Sequence, residues 1–326
     1  METRKVQYTG SSRTISLPKE WAEEHGVEAG MQLALYPAES GELIIGAEQT
    51  EDDDPPRVGV EEYSEMDVRE TVKALYAIGN EMFVLAADSG FERAQRRAVA
   101  TAATDLVGLE VHSESETELV LTTVFDTATV SIERTVLQLQ YTALSMHQDA
   151  VQGLIDGNED IAARVLRRRK DAERRFRVAE SSFQRTLTDV EELDRLGHTR
   201  PTMFDQYTTA QRLADIAEQA WKMADLVDTC EETERQPWPD EFERLARASR
   251  QLTERAVDYV LEAGRPPHET VRNCRSLVND VIELRRHVCR ENGESYVQTV
   301  AVDSLERTVR CSEAIAERAV QAALRA

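Results

Sequence analysis

The sequence predicts a mainly α-helical fold in which a small β-rich module and a small α+β unit precede two tandem three-helix bundles. Three observations support this prediction: glycine-separated apolar stretches up to residue 47, alternating helix and strand patterns over residues 66–127, and amphipathic helices with brief breaks from residue 128 onward. The length of 326 residues is too great for one ordinary hydrophobic core, so several domains are expected.

The first predicted domain, residues 1–47, consists of strands and turns. Apolar stretches at residues 15–17, 33–36 and 43–45 are separated by glycines, which punctuate short strands. A short helix is expected over residues 19–25, because Pro18 stands where proline starts helices well.

Residues 48–65 are predicted to form a linker, because the segment EQTEDDDPP combines a run of acids with two prolines and cannot bury apolar area. Residues 66–127 then show a mixed order of elements, which predicts a small α+β unit. Its expected elements are helices over residues 67–78 and 91–106, with strands over residues 81–87, 109–112 and 118–125. This unit contains no recognisable cluster of reactive side chains.

From residue 128 the chain is predicted to form six helices. The breaks between them fall at residues 156–157, 197–201, 236–239, 264–267 and 292–293. In the second helix, apolar residues at three–four spacing form one stripe, which also contains Arg169 and must face other helices.

The helical region is also predicted to be duplicated. Aligning RLADIAEQAWKMAD (residues 212–225) with SLERTVRCSEAIAE (residues 304–317) pairs leucine with leucine near the start and methionine with isoleucine near the end. Two tandem bundles, residues 128–235 and 236–326, therefore fit better than one six-helix bundle.

The composition points to a soluble, cytoplasmic protein from a halophile. The net charge is −22, and five lysines stand against 34 arginines. Abundant carboxylates with few lysines suit concentrated salt, where the Debye length shrinks to about 3 Å at 1 M; the alternative is an acidic mesophilic protein. No signal segment or membrane span is recognisable, so no membrane insertion is expected. Cys230, Cys274, Cys289 and Cys311 lack close pairing and are expected to be buried and reduced.

Positive charge is concentrated in the first twenty residues of this acidic chain. Arg4, Lys5, Arg13 and Lys19 stand there against two glutamates. Phosphate contacts need such a local basic face, although four basic side chains also fit a merely solvated β surface.

The stretch RKVQYTGSSRTISLPKEWAEEHGVEAGMQLALYPAESGELII, with its glycine turn, SLPKEW segment and G-x-x-x-G, resembles the AbrB/SpoVT swapped-hairpin family. The resemblance implies a small swapped-hairpin β barrel formed by two interleaved chains, hence an obligate homodimer. It further implies that the basic residues of the barrel contact DNA. By position, the DNA-binding candidates are Arg4, Lys5, Arg13 and Lys19.

Two stretches of the helical region, VLQLQYTALSMHQDAV (residues 136–151) and DSLERTVRCSEAIAE (residues 303–317), are similar to the PhoU family of phosphate-uptake regulators. This resemblance implies two three-helix bundles and a role in phosphate homeostasis. The partners it implies are the phosphate-importing ABC transporter and its ATPase. An AbrB-like module fused ahead of PhoU-like bundles is an archaeal arrangement.

PhoU proteins often bind metal clusters through E/D-x-x-x-D motifs, since carboxylates one turn apart project to the same side. In this chain the motif positions are Arg169 and Glu173, Ala214 and Glu218, and Glu306 and Arg310. Half of the acids are missing, so no metal is expected. Two readings of the altered motif stay open: the guanidiniums of Arg169 and Arg310 replace metal ions and pair with the remaining acids, or Arg169 reaches solvent and no site remains.

No phosphate-binding loop, HExxH, GxSxG or serine–histidine–acid spacing occurs, so neither catalysis nor a cofactor is expected. Two functional hypotheses follow. In the first, the chain is a DNA-binding transcriptional regulator of phosphate uptake whose helical region senses status or binds a partner. In the second, it is a PhoU-like adaptor that touches no DNA and inhibits a phosphate ABC transporter or its ATPase.

Overall fold

A computed structural model describes residues 3–37, 41, 43–47, 54–124, 131–229, 237–262, 264, 266–291 and 295–325. The chain divides into two compact units, Met1–Asp54 and Pro55–Ala326. Cys230, the acidic part of the predicted linker at residues 48–53 and the predicted break at residues 292–293 lie outside the described residues.

The first unit contains two small antiparallel sheets and one helix. Its elements are β1 (Gln7–Thr9), β2 (Ser12–Thr14), α1 (Lys19–Glu24), β3 (Leu33–Pro37) and β4 (Leu43–Ala47). β1 pairs with β2, and β3 pairs with β4. The predicted strand at residues 15–17 was wrong, because the turn at Gly10 (φ 62°) sets a register that ends at the Gln7–Thr14 pair. The short helix and the other two strands were predicted correctly.

The backbone conformation explains why the G-x-x-x-G segment of this unit has glycine at both ends. Gly26 and Gly30 adopt φ values of 61° and 100°, which are strained for residues with a side chain. Gly26 follows α1, and the amide of Val27 donates to the carbonyl of Ala22 at 2.7 Å, which turns the chain away from the helix.

The second unit begins with a four-stranded sheet and two helices. Its elements are β5 (Arg57–Gly59), α2 (Glu65–Ala77), β6 (Met82–Ala86), α3 (Arg93–Asp105), β7 (Leu109–Glu114) and β8 (Glu118–Thr123). The strand order is β5-β6-β8-β7, with β5 parallel to β6 and the remaining pairs antiparallel. Val72, Phe83 and Leu121 lie in its buried core. β5 falls inside the segment that the sequence predicted as a linker.

The rest of the second unit is helical. Its elements are α4 (Ile132–Asp156), α5 (Glu159–Thr188), α6 (Val190–Leu196), α7 (Arg200–Thr229), α8 (Asp240–Leu261), α9 (His268–Glu291) and α10 (Tyr296–Ala323). α4, α5 and α7 pack together, as do α8, α9 and α10, and α7 packs against α10 so that one continuous core runs through both bundles. The predicted fold class, a mainly α chain with small sheets before bundled helices, is confirmed.

One helix boundary was not predicted. The side chain of Asp189 accepts hydrogen bonds from the amides of Glu191 and Glu192 at 2.8 and 3.0 Å, so it caps a new short helix, α6, after α5. No helix in the described ranges has the length and hydropathy that crossing a bilayer requires.

The α+β unit is attached to α5 at two places. Near the middle of α5, Arg174 donates to the carbonyls of Thr104 (2.8 Å) and Asp105 (3.2 Å), which end α3. Near the end of α5, Arg185 lies against Gly79 of the α+β unit. Gly79 adopts φ 90°, and a Cβ added there would lie 2.6 Å from Cγ of Arg185. Both contacts place the α+β unit directly on the first bundle.

Candidate functional site

The four predicted DNA-binding cations all lie at exposed positions of the first unit. Arg4 and Lys5 precede β1, Arg13 is the middle residue of β2, and Lys19 is the first residue of α1. They therefore come from three successive parts of one small unit. A single basic face shared by two copies stays a prediction.

The surroundings of two of these cations are defined. Arg13 lies opposite Tyr8 in the β1–β2 register, so both side chains project from the same side of the hairpin. The Nζ atom of Lys19 lies 3.5 Å from Oε1 of Glu23, one helical turn farther on, with both side chains largely exposed. An exposed pair of this kind contributes about 0.3–0.5 kcal/mol, so Lys19 can exchange Glu23 for another anion at little cost.

The apolar side chains of the first unit find no closed core among its described residues. No side chain at residues 3–37, 41 or 43–46 is fully buried. Val6, Tyr8 and Leu35 expose 58%, 75% and 57% of their surface. Fully burying a large apolar side chain contributes about 1.5–3 kcal/mol to stability. A second protein surface that covers these side chains would therefore stabilise the unit.

The altered metal motif forms a compact cluster between α5 and α7, here called the α5–α7 cluster. Nε of Arg169 donates to Oε1 of Glu173 at 3.0 Å, and Nη2 of Arg169 lies 3.3 Å from Oε2 of Glu218. The guanidinium carbon lies 4.2 Å from the centre of the Trp221 ring, close enough for a cation–π contact. One arginine therefore joins two carboxylates and an aromatic ring across two helices.

A second cluster, the α9–α10 cluster, occupies the other bundle. Nε and Nη2 of Arg310 contact Oε1 of Glu306 at 2.8 and 2.6 Å. On the opposite carboxylate oxygen, Glu306 accepts a hydrogen bond from Nη2 of Arg285, which also lies 2.6 Å from Oδ1 of Asp303. Two guanidiniums thus hold one carboxylate between α9 and α10.

The two clusters have the same arrangement of residues. In each bundle an arginine of the middle helix, Arg169 of α5 or Arg285 of α9, reaches a glutamate of the last helix, Glu218 of α7 or Glu306 of α10. They differ in the burial of the glutamate, because the Glu306 side chain is only 11% exposed whereas that of Glu218 is 34% exposed. The contacts that the pairing hypothesis requires are present at Arg169, with Glu173 and Glu218, and at Arg310, with Glu306. That guanidiniums take over the role of metal ions stays a prediction.

Sequence reasoning missed Trp221, Arg285 and Asp303. Trp221 lies one turn beyond Glu218 on α7, so its three-residue spacing was a usable signal. Arg285 lies on α9, away from the motif positions, and only the packing of α9 on α10 brings it to Glu306. Within the described ranges, no three side chains of His, Cys, Asp or Glu form a group that could hold a metal ion.

Comparisons with known proteins found a similarity among solved structures. No family model matches the sequence, and no curated protein matches it. Among solved structures, the chain is similar to the crystal structure of the phosphate transport system regulatory protein PhoU from Streptococcus pneumoniae. The two are 16% identical, the match covers 59% of this chain and 92% of that chain, and the TM-score is 0.41.

Proposed function

We propose that the chain is a DNA-binding transcriptional regulator of phosphate uptake that acts in the cytoplasm as a homodimer. The first unit binds DNA, and the helical region senses the phosphate status of the cell or binds a partner. The proposal rests on the resemblance of the first 47 residues to the AbrB/SpoVT family and of the helical region to the PhoU family. Components of a phosphate ABC transporter are the candidate partners of the helical region.

The observation that carries the proposal is the combination of cations and unburied apolar surface in the first unit. Tyr8 and Leu35, on β1 and β3, are more than half exposed, and no described side chain of this small unit is fully buried. Interleaving with a second copy would bury such side chains and would double the number of cations on one body. A basic surface of that kind would match the regularly spaced phosphates of a DNA duplex.

The overall charge does not oppose this role. Binding of DNA depends on the local field of the protein surface, and salt screens the remaining carboxylates beyond about one Debye length. Two copies offer at most about eight phosphate contacts from these four positions, which corresponds to a slope of about −7 in a plot of log affinity against log salt.

The test is genome-wide DNA occupancy of the full chain with and without phosphate, with a variant in which Arg4, Lys5, Arg13 and Lys19 are replaced by glutamine. We expect the variant to lose promoter occupancy and phosphate-responsive transcription while sedimentation still shows a dimer. The reason is that glutamine removes the phosphate contacts but leaves the apolar interface intact.

A matched control replaces four other exposed arginines by glutamine, so that the same amount of charge is lost elsewhere. These are Arg164, Arg167, Arg255 and Arg272, at exposed positions of α5, α8 and α9. The control is expected to keep its occupancy. Unchanged occupancy of the N-terminal variant would favour the adaptor that binds a transporter, and a monomeric full chain would remove the basis of the proposal.

A further inference from the structure

A groove runs between α4 and α8, where the two bundles meet. Its volume is about 740 Å³, within the range of small-molecule sites. The α4 side carries Leu137, Tyr141 and Leu144 among glutamines, and the α8 side carries Arg247 and Arg250. Apolar, amide and cationic groups therefore face the same space.

Arg250 is the unusual member of this lining. Within the described ranges it forms no ion pair with a carboxylate, and its hydrogen bond goes from Nη1 to Nδ1 of His147 at 3.2 Å. Burial lowers the pKa of Arg250 and Arg247 lowers it further, while Glu243 and Glu254 raise it without pairing with it. A largely buried guanidinium without a carboxylate partner is costly, and an anion entering the groove would offset that cost.

His147 is uncharged at neutral pH, so it does not neutralise Arg250. It is buried, and desolvation lowers its pKa to about 3, with Arg250 adding a smaller effect in the same direction. Because a guanidinium can only donate hydrogen bonds, Nδ1 must accept and the ring proton lies on Nε2. The imidazole is therefore a neutral support that orients Arg250.

The remaining charges of the groove limit what an anion can be. The second arginine, Arg247, is exposed and already paired with Glu243 at 2.6 Å, and Glu254 lies on the same helix as an exposed carboxylate. These two carboxylates repel a polyanion. The exposed ring of Tyr141, at 75% exposure, offers a flat apolar surface in the same groove.

We propose that the α4–α8 groove binds a singly phosphorylated organic ligand, with Arg250 contacting the phosphate and Tyr141 stacking on a planar group such as a nucleobase. The glutamines of α4 offer amides that can donate to and accept from the edge of that group. This site lies on the helical region and does not depend on DNA binding by the first unit.

The experiment is titration calorimetry on the full chain with adenosine monophosphate, adenosine and inorganic phosphate, at the lowest salt that keeps the chain folded. The nucleotide is expected to bind, whereas adenosine and inorganic phosphate should each bind at least about tenfold more weakly, because each lacks one of the two contacts. Equal affinity for inorganic phosphate would overturn the part of the proposal that requires a planar group.

Variants locate the binding in the groove. Arg250→Gln is expected to weaken nucleotide binding by at least about tenfold, and Tyr141→Ala by about tenfold. Because Tyr141 is exposed, its replacement leaves the core unchanged even if Arg250→Gln proves unstable. Arg255→Gln, on an exposed position of α8 outside the groove lining, is the matched control and should bind as the parent does. Absent binding, or equal binding by Tyr141→Ala and Arg255→Gln, overturns the proposal.

Discussion

Replacing Arg169 by alanine tests how much the α5–α7 cluster stabilises the fold. Its guanidinium lies 3.0 Å from Glu173, 3.3 Å from Glu218 and 4.2 Å from the centre of the Trp221 ring. Because all three charged side chains are about a third or more exposed, each ion pair contributes only about 0.5 kcal/mol. The cation–π contact adds about 0.5–1 kcal/mol. We therefore expect the free energy of unfolding to fall by about 1–2 kcal/mol.

The assay is urea and thermal unfolding followed by circular dichroism, with an expected fall in melting temperature of about 2–4 °C. Arg164→Ala is the control, since Arg164 lies on the same helix at an exposed position and forms no ion pair in the described chain. A double-mutant cycle with Glu218→Ala isolates the contact between the helices. If Arg169→Ala loses no more stability than Arg164→Ala, or if the cycle gives no coupling energy, the cluster does not stabilise the bundle.

Three further changes probe the same unit. Glu306→Gln should cost about 2–3 kcal/mol, more than Arg169→Ala, because its carboxylate is 11% exposed and two guanidiniums depend on it; a smaller loss in urea unfolding would contradict this. His147 takes up a proton near pH 6.5 when unfolded but only near pH 3 when folded, so stability should fall by about 1.4 kcal/mol per pH unit as the pH drops below 6.5. His147→Gln should remove that contribution, and identical pH slopes in urea unfolding would refute it. Gly79→Ala should lose about 2 kcal/mol or more, because it adds a clash 2.6 Å from Arg185 to an unfavourable φ of 90°. Gly197→Ala, with φ 64° and open space, should lose about 1 kcal/mol, and equal losses would show that the clash is relieved.

Several helix boundaries of the second unit were predictable because glycine and proline mark them, whereas the α5–α6 boundary at Asp189 has neither residue. Gly157 and Gly197 adopt left-handed φ values of 61° and 64° after α4 and α6, a conformation that glycine reaches without a steric penalty. β5 was not predictable in the same way. A strand of three residues beside two prolines has no recognisable period, and its place depends on parallel pairing with β6 across an intervening helix.

The candidate clusters were predictable only as far as local geometry reaches. Glu173 lies four residues after Arg169 on one helix, so the sequence spacing alone brings their side chains together. The contact from Arg285 to Glu306 has no such signal, because it depends on how α9 crosses α10. Helix packing is set by the summed shape of many side chains, which a motif comparison does not contain.

α5 provides a short physical connection between the first bundle and the α+β unit. Arg174 lies five residues after Arg169, about 7.5 Å along the helix axis, and it donates to the carbonyls that end α3. Farther along, the backbone and side chain of Arg185 lie against the turn at Gly79. Since a helix fixed at both points moves as a rigid body, a ligand that shifts α5 against α7 must either carry the α+β unit with it or break the contacts of Arg174.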